Sequence, residues 1–221
     1  MEVKYLGHSS FEVTKRGGPN GNLTVVTDPF DGKMVGLPFK KGIEADLVLI
    51  SHNHGDHNFT EAIGGTPYIV AGPGEYEVKG VKVTGVASFH DDRMGAERGK
   101  NVVYKFEIDG VSFCHLGDLG HIFSEKEVEE IGKVDVLFVP VGGFYTIDPK
   151  KAVEVITQLE PLLVIPMHYR VVGLAVSFDK LATVEDFVKE IGKTSRRESV
   201  LKVDRVSLPQ ELEIVVLEIQ K

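Results

Sequence analysis

A short polar segment just after an apolar run carries the residues with the clearest chemistry in this chain. The run Ala45–Ile50 predicts a buried strand, and the segment His52–His57 behind it has the sequence His-Asn-His-Gly-Asp-His. In an extended backbone, side chains two positions apart point the same way. His52 and His54 can therefore face one metal ion.

The second half of the same segment offers ligands to a second ion. Gly55 bends the chain, so that Asp56 and His57 can turn toward that ion. Imidazole nitrogens and carboxylate oxygens together are typical ligands of zinc, manganese, iron and nickel. A polar loop with scattered histidines is the alternative, but three histidines and one aspartate within six residues favour a metal-binding motif.

Length and composition limit what the molecule can be. Its 221 residues carry a net charge of −8 and 42% hydrophobic side chains, enough apolar material for a sizeable core. We expect a single domain over residues 1–221. The apolar runs are strand-length, so we expect no membrane-spanning segment. The negative charge argues against an extended nucleic-acid surface.

Two features predict a cytoplasmic location. Cys114 is the single cysteine, so no internal disulfide can form, which suits a reducing compartment. Residues 1–4 lack the basic head and apolar core of a signal peptide.

The hydrophobic pattern predicts strands first and a strand–helix alternation later. Strands are predicted at residues 3–6, 11–15, 23–27, 45–50, 68–70, 76–86 with a turn at 79–80, 102–108 and 111–115. Further on, strands at 134–140, 162–166 and 213–219 alternate with helices at 149–159 and 183–191. Ser124 and Glu127 predict a capping box at the start of another helix. Residues 16–22 indicate a hairpin loop and 30–44 an irregular loop, and the whole order predicts layered sheets covered by helices.

Polar residues that follow predicted strands complete a candidate centre. They are Asp28, His90, Asp118 and His168. Taken alone, each has a structural interpretation, since a single histidine at a strand end is more often a satisfied structural residue than a ligand. Functional sites cluster at strand ends in layered α/β folds. Together with the His52–His57 segment, these residues therefore favour a shared metal centre.

With these residues in this order, the chain resembles a known family, the metallo-β-lactamase-fold hydrolase superfamily. Within it, the chain is similar to the L-ascorbate-6-phosphate lactonase-like branch. The matching stretches run in order along the chain: Gly7–Phe11, Thr27–Pro29, His52–His57, Ser88–His90, Gly117–His121, Pro140–Gly143 and Pro166–Tyr169.

The resemblance implies a four-layer αββα sandwich with two divalent metal ions between the sheets. It gives the first ion three histidines, His52, His54 and His90. It gives the second ion a carboxylate and two histidines, Asp56, His57 and His168. Asp118 would bridge the ions, where some β-lactamases have cysteine, and this departure counts against antibiotic hydrolysis. The ions would be zinc, manganese, nickel or iron, and a mixed pair stays open.

His8 presents a choice between a turn residue and a ligand. An isolated histidine between Gly7 and Ser9 is usually bonded to a nearby carbonyl. The resemblance, however, implies that this histidine faces the metal centre, and the second site has room for another nitrogen. We therefore predict a ligand or catalytic role for His8 at the second site, where added nitrogen would disfavour tetrahedral zinc.

Three further residues receive supporting roles. We expect Asp28 to lie behind the ligands, accepting the second N–H group of a metal-bound histidine. For His115 we prefer a core histidine bonded to the backbone over a site residue. His121 is either a residue of the site wall, again behind the ligands, or a surface residue ahead of a helix.

The predicted chemistry is hydrolysis of an ester, a lactone or a phosphodiester. Two cations would share a hydroxide and lower its pKa toward neutrality, and Asp56 would orient this nucleophile. The predicted catalytic residues are Asp56, Asp118 and His8. We expect a small phosphorylated or lactone substrate, with phosphodiesters and sugar-phosphate lactones preferred. A non-catalytic, metal-dependent binding or sensor protein with the same fold is the alternative, and a homo-oligomer stays open.

The substrate-binding residues are the least defined part of the prediction. The loop 142–146 either presents backbone N–H groups and an aromatic wall or is simply a tight connection. Four side chains near the proposed ligands could hold a phosphate, namely Arg93, Arg98, Tyr169 and Arg170.

Overall fold

The computed structural model describes residues 1–17 and 21–220, which form fourteen strands and four α-helices. The strands are β1 (Glu2–Gly7), β2 (Ser10–Lys15), β3 (Leu23–Thr27), β4 (Leu47–Leu49), β5 (Tyr68–Val70), β6 (Gly74–Val78), β7 (Val81–Phe89), β8 (Lys100–Ile108), β9 (Val111–His115), β10 (Val136–Pro140), β11 (Leu163–Met167), β12 (Ser195–Glu198), β13 (Leu201–Lys202) and β14 (Glu213–Leu217). The helices are α1 (Gly32–Val35), α2 (Glu125–Ile131), α3 (Pro149–Leu159) and α4 (Val184–Ile191). Two 3₁₀ turns span Thr60–Ala62 and Val176–Phe178.

The strands form two mixed sheets. The six-stranded sheet has the order β13-β1-β2-β3-β4-β5, in which β1, β2 and β3 pair antiparallel and β3, β4 and β5 pair parallel. The eight-stranded sheet has the order β12-β14-β11-β10-β9-β8-β7-β6. Its first half along the chain, β6 to β9, is antiparallel, and its remaining pairs are parallel. The predicted αββα class is confirmed.

Aromatic side chains join the two sheets in the core. The Phe11 ring of β2 stacks on the Phe138 ring of β10 with 4.2 Å between centroids. Tyr5 extends this stack on one side at 5.0 Å from Phe11, and Phe113 extends it on the other at 6.2 Å from Phe138. All four side chains are buried. The stack therefore fixes how the sheets face each other, and with it the distance between loops that leave opposite sheets.

Helix ends follow local capping rules. The capping box of Ser124 and Glu127 is present as predicted at the start of α2, and Thr183 with Asp186 forms another at α4. Asp148 caps α3 ahead of Pro149. These caps explain why the predicted helix starts are close to those in the structure.

One prediction about regular structure needs correction, and two strands, β12 and β13, were not predicted. The loop predicted over residues 30–44 contains α1, whose short length is set by the Asp31 side chain at its start and Gly36 at its end. The strand β12 was missed because its sequence, Ser-Arg-Arg-Glu, has no apolar alternation; it gains its place by pairing with β14. Of the hairpin loop predicted over 16–22, residues 18–20 lie outside the described chain. None of the helices in the described residues is long and apolar enough to cross a membrane.

Replacing Phe138 by alanine should destabilise the fold strongly. The ring is fully buried between the sheets, so Phe138→Ala should lower the free energy of unfolding by about 3–5 kcal/mol. Urea denaturation measures this change. Phe144→Ala is the control, since the Phe144 side chain is half exposed and its loss should cost less than about 0.5 kcal/mol. Equal losses in the two variants would contradict the aromatic stack as the joint between the sheets.

Candidate metal centre

The predicted site residues all lie shortly beyond the C-terminal ends of strands. β1, β3, β4, β7, β9 and β11 are followed, respectively, by His8, Asp28, His52–His57, His90, Asp118 and His168. Strand ends from both sheets thus supply the site. The backbone N–H of His168 donates to the His8 carbonyl at 2.8 Å, which ties the end of β11 to the end of β1.

Three of these residues have a strained backbone. The φ angles of His8, Asp28 and His168 are 54°, 38° and 52°. Left-handed backbone is rare for residues with a side chain and persists where the surrounding structure enforces it. It turns the chain sharply at each strand end, where a polar side chain enters the cluster.

The first predicted ligand set is brought together. One ring nitrogen from each of His52, His54 and His90 lies within 4.8 Å of the others. His52 and His90 are buried, whereas His54 is exposed. The ring of His52 lies 4.6 Å from that of His54 and 4.8 Å from that of His90, centroid to centroid.

The second set is also brought together, and His8 lies within it. One possible ligand atom from each of four buried residues falls within 4.8 Å of the rest: His8, Asp56, His57 and His168. His8 Nε2 and Asp56 Oδ2 are hydrogen-bonded at 3.1 Å. The His8 ring lies 4.3 Å from that of His168 and 5.0 Å from that of His57. His8 is thus a site residue by position and not an isolated turn residue.

Asp118 lies between the two sets. Its Oδ2 atom is 3.2 Å from His90 Nε2 of the first set. The same atom is 3.3 Å from His57 Nε2 and 3.4 Å from His168 Nε2 of the second. One carboxylate therefore contacts both sets, which is the position required of a bridging ligand.

Unpaired buried atoms show that the residues fit a divalent ion. The buried side-chain atoms of the described residues that lack a hydrogen-bond partner include His52 Nε2, His57 Nε2 and Asp118 Oδ1. A buried polar atom without a partner costs about 1–3 kcal/mol. These three atoms belong to residues that also fall within 4.8 Å of one another through one atom each. Nitrogen and carboxylate donors grouped in this way suit a transition-metal ion or zinc.

Burial and neighbouring charges set the protonation of the cluster. Burial raises the pKa of Asp118, but His168, His57 and His90 outweigh it and hold this pKa well below its usual range. Burial and the nearby His168 lower the pKa of His8 to about 4. Burial and the nearby His57 lower the pKa of His52 to about 3. The carboxylate is thus ionised and both histidines are neutral near pH 7, which are the forms that bind metal.

His57 is the exception among the histidines. Burial lowers its pKa, but the carboxylates of Asp118 and Asp28 have the larger combined effect and raise it well above its usual value. Asp28 Oδ2 accepts the hydrogen bond of His57 Nδ1 at 2.9 Å. This contact leaves Nε2 as the atom of His57 that faces Asp118.

Asp28 lies behind the ligand sets, as predicted, and has more partners than expected. Its Oδ1 accepts the Ser51 backbone N–H at 2.7 Å, and its Oδ2 accepts the Ser51 hydroxyl at 2.6 Å. Ser51 Oγ in turn lies 2.9 Å from His52 Nδ1. One buried carboxylate therefore orients His57 directly and His52 through Ser51, a residue that the sequence analysis did not single out.

The backbone partner predicted for His115 is wrong. His115 Nε2 is hydrogen-bonded to Asp28 Oδ2 at 2.9 Å, and its fully buried ring lies beside the stacked Phe11 and Phe138 rings, 6.3 Å and 6.2 Å from their centroids. His115 is a core residue, as preferred, but it belongs to the hydrogen-bond network behind the ligands. Its position on β9, pointing toward a carboxylate of the other sheet, could not be read from local sequence.

His121 supports a strand end and does not line the cluster. Its Nε2 atom accepts the backbone N–H of Phe89 at 3.2 Å, next to His90, and its Nδ1 is bonded to the Ile122 carbonyl. Asn101 has a similar supporting position and was missed. Its Oδ1 accepts the Asp118 N–H at 3.0 Å, and its Nδ2 donates to the Leu116 carbonyl at 2.9 Å.

A cavity of about 460 Å³ opens over the cluster. It is lined by Met34, Asn53, His54, Gly55, Asp56, His90, Arg98, Asp118, Tyr145, His168, Ser177 and Phe178. Of the loop 142–146, Tyr145 thus provides the aromatic wall. Of the four side chains proposed to hold a phosphate, Arg98 lines this cavity.

The other three candidates lie elsewhere. Tyr169 and Arg170 line a different cavity of about 820 Å³, because the chain turns away from the metal cluster after His168. The Arg93 side chain is 70% exposed and paired with Glu97 at 3.1 Å. None of these three residues lines the cavity over the cluster, so Arg98 is the one candidate of the four that the structure places there. Cys114 is buried, and its burial raises the pKa of the thiol to about 12, in keeping with the small hydrophobic residue expected.

Comparison with known proteins gives consistent matches. A family model described as the β-lactamase superfamily domain matches residues 2–168. A metal-dependent hydrolase of the UPF0173 group from Thermococcus onnurineus is 32% identical over 196 residues, covering 76% of this chain and 84% of the relative. A crystal structure from Thermotoga maritima, assigned to the metallo-β-lactamase superfamily, is 40% identical over 99% of both chains, with a TM-score of 0.80. The metallo hydrolase Igni18 from Ignicoccus hospitalis shares the fold, at 20% identity over 100% of this chain and 96% of that one, with a TM-score of 0.67.

The two ligand sets predict two divalent ions per chain. His52→Ala should leave one ion, because no neighbouring side chain replaces the lost ligand. His8→Ala should keep the ion at His52, His54 and His90 and weaken or lose the other. Elemental analysis of the purified proteins measures the stoichiometry, with His121→Ala as a control that keeps two ions. Two ions in both His52→Ala and His8→Ala would contradict the assignment.

Mild acid should destabilise the chelator-treated protein through His8 and His52. Their pKa values in the folded chain are about 4 and about 3, below the ordinary 6.5, so the unfolded chain binds more protons in this range. The free energy of unfolding should fall by about 1.4 kcal/mol per pH unit for each such histidine as the pH drops from about 6.5 toward 4. His57 has a raised pKa, so its contribution to the free energy of unfolding is lost as the pH rises above about 6.5 and does not change in the mildly acid range.

Urea unfolding in EDTA at several pH values across this window measures the slope. His52→Gln removes one of the histidines whose pKa is lowered, a group that also includes the more exposed His54, and should flatten the slope by one such contribution. The same slope in the variant and in the parent protein would contradict the depressed pKa of His52.

Proposed function

This chain belongs to the β-lactamase superfamily, and from that premise we propose that it hydrolyses phosphodiesters or sugar-phosphate lactones with two bound metal ions. The coarser statement, that it is a metal-dependent hydrolase, has two supports. Relatives that are covered over 84% of their length carry that name. The chain also holds its own grouped histidine and carboxylate ligands. The observation that carries the proposal is Asp118, whose single carboxylate contacts histidines of both sets.

The residues present divide the work of binding and orientation. Divalent ions held by the two sets would polarise the bond under attack and lower the pKa of water between them. Burial raises the pKa of Asp56, but His8 and His57 outweigh it and keep the carboxyl ionised. Asp56 lines the cavity, so its carboxylate can accept a proton from the attacking water. His8, bonded to Asp56 at 3.1 Å, holds that carboxylate in place.

The cavity supports a small substrate. Its volume of about 460 Å³ is in the range of small-molecule sites. The net charge of −8 also disfavours a long polyanion. Arg98 at the cavity wall suits a phosphorylated molecule. A cytoplasmic location and a homo-oligomeric state belong to the same proposal.

A substrate panel on the metal-loaded protein tests the proposal. The protein, stripped and then reloaded separately with zinc, manganese, nickel or iron, is assayed on bis(p-nitrophenyl) phosphate and on glucono-δ-lactone 6-phosphate. We expect turnover of at least one of them that depends on added metal. Metal binding without hydrolysis of either compound would favour the alternative, a metal-dependent sensor.

Two aspartate variants place the activity in this site. Asp118→Ala should reduce the rate more than Asp28→Ala does, because Asp118 contacts both ligand sets while Asp28 acts through His57 and Ser51. A residue behind the ligands typically contributes about 10–100-fold to affinity or activity. The opposite order of rates would mean that the roles of the two carboxylates are exchanged.

A further inference from the structure

We propose that Arg98, which lies over the Tyr145 ring and is positioned by Asp91, binds an anionic group of the substrate that is remote from the bond being hydrolysed. This inference rests on the proposed function and narrows its substrate class. The substrate would carry a phosphate or a carboxylate in addition to the scissile ester or lactone. Arg98 is the binding residue, and Asp91 is a positioning residue.

The loop that carries Arg98 is organised by one buried carboxylate. Asp91 Oδ1 accepts the backbone N–H groups of Arg93 at 2.8 Å and Gly95 at 2.9 Å. Asp91 Oδ2 accepts those of Glu97 at 2.9 Å and Arg98 at 2.7 Å. Four N–H groups of one loop thus converge on the carboxylate of a residue that is 4% exposed. The Asp91 carboxylate therefore fixes the backbone of the loop, including the backbone of Arg98.

The base of this loop is closed as well. The N–H of His90 donates to the Gly99 carbonyl at 3.0 Å, and the N–H of Gly99 donates to the Gly95 carbonyl at 3.0 Å. Gly120 packs so closely on the backbone of His90 and Asp91 that a Cβ atom there would overlap it. The loop is therefore anchored at the residue that supplies a predicted ligand, and Arg98 has a defined position relative to that ligand.

The guanidinium of Arg98 is directed to the cavity and remains available. Its carbon lies 5.9 Å from the centroid of the Tyr145 ring, and both side chains line the cavity. Tyr145 is itself held, because its hydroxyl donates to the Ser177 carbonyl at 2.9 Å. The carboxylate paired with Arg98 is that of Glu97, at 3.8 Å, with the Arg98 side chain 34% exposed. At this distance the ring is only a cation–π partner and takes up none of the N–H donors of the guanidinium, which stay free to bind an anion.

The charges around the cavity indicate what Arg98 would bind. Among the cavity-lining residues of the described chain, Arg98 alone has a permanently charged cationic side chain. The ions would occupy the histidine and aspartate cluster and act on the reacting group. A second anionic group would find its partner in Arg98, whose planar fork matches phosphate or carboxylate oxygens. Met34 and Phe178 offer an apolar surface for the part of the substrate between the two groups.

Arg93 provides a matched control within the same loop. Its backbone N–H also binds Asp91, but its side chain is 70% exposed, pairs with Glu97 and does not line the cavity. Arg93→Gln and Arg98→Gln make the same chemical change. Comparing the two variants therefore separates a general loss of positive charge from loss of the proposed anion-binding side chain, Arg98, which we call the anchor.

Calorimetric titration of the metal-loaded protein with glucose 6-phosphate and with glucose tests the proposal without requiring turnover. Arg98→Gln should weaken the binding of glucose 6-phosphate by about tenfold to a hundredfold, the range for a charge-assisted hydrogen bond. Glucose binding should change much less, and Arg98→Lys should lie between. Arg93→Gln should bind both probes as the parent protein does. Unchanged affinity for glucose 6-phosphate in Arg98→Gln, or an equal loss in Arg93→Gln, would overturn the anchor.

The positioning role of Asp91 has its own test. Asp91→Asn should weaken glucose 6-phosphate binding in the same selective way while the protein keeps its metal content. If Asp91→Asn does not fold, Asp91→Glu takes its place, because it keeps the charge but moves the carboxylate oxygens. The measured quantity is again the ratio of the affinities for glucose 6-phosphate and glucose. A variant that keeps its metal and its preference for glucose 6-phosphate would refute positioning by Asp91.

These outcomes are distinguishable from failure of the proposed function. Binding that depends on Arg98 in a protein that hydrolyses no ester would leave the anchor standing and remove the hydrolase. Hydrolysis by a protein in which Arg98→Gln does not change ligand binding would support the hydrolase proposal and rule out the proposed role of Arg98.

Discussion

The centre of this molecule depends on the burial of one carboxylate, that of Asp28. Removing a charge from water is expensive unless it is paired and hydrogen-bonded, and Asp28 is fully buried. Its oxygens accept hydrogen bonds from the backbone N–H and the hydroxyl of Ser51 and from ring N–H groups of His57 and His115. Burial by itself raises its pKa, but His115 and His57 bring it well below the usual range. Since Asp28 follows β3 and His115 lies on β9, this charge also links the two sheets.

The same network orients the predicted ligands without help from a bound ion. His57 is fixed through Nδ1, and His52 is fixed through the hydroxyl of Ser51, so each presents its other nitrogen to the cluster. On the opposite side, Asn101 holds the N–H of Asp118. Side chains fixed in this way lose little conformational freedom on binding a cation, so more of the binding free energy is retained. The aromatic stack between the sheets and the polar network beside it therefore act together. Both fix the strand ends of one sheet relative to the strand ends of the other.

The sequence allowed the ligand sets to be proposed but did not reveal the residues that hold them. His52, His54, Asp56 and His57 are contiguous, so periodicity along a strand and a glycine bend suffice to group them. The contacts of Ser51, His115 and Asn101 depend on how the sheets face each other, and local pattern carries no such information. Likewise Arg98 and Arg170 look alike in sequence, but they differ because one loop folds over the cavity and the other turns away from it. The strand β12 escaped notice because pairing, and not apolar alternation, creates it.

The direct link between the ends of β1 and β11 has a consequence for biogenesis. The set His52, His54 and His90 is complete once the chain has been made through residue 90. The set that contains His8 waits for His168, whose N–H binds the His8 carbonyl, so it closes one of the longest loops in the fold. Contacts of such sequence separation form late and slowly. If each set holds a cation, as we propose, a nascent chain would complete the site for the first cation well before the site for the second, and chain topology as well as affinity would set the order of loading.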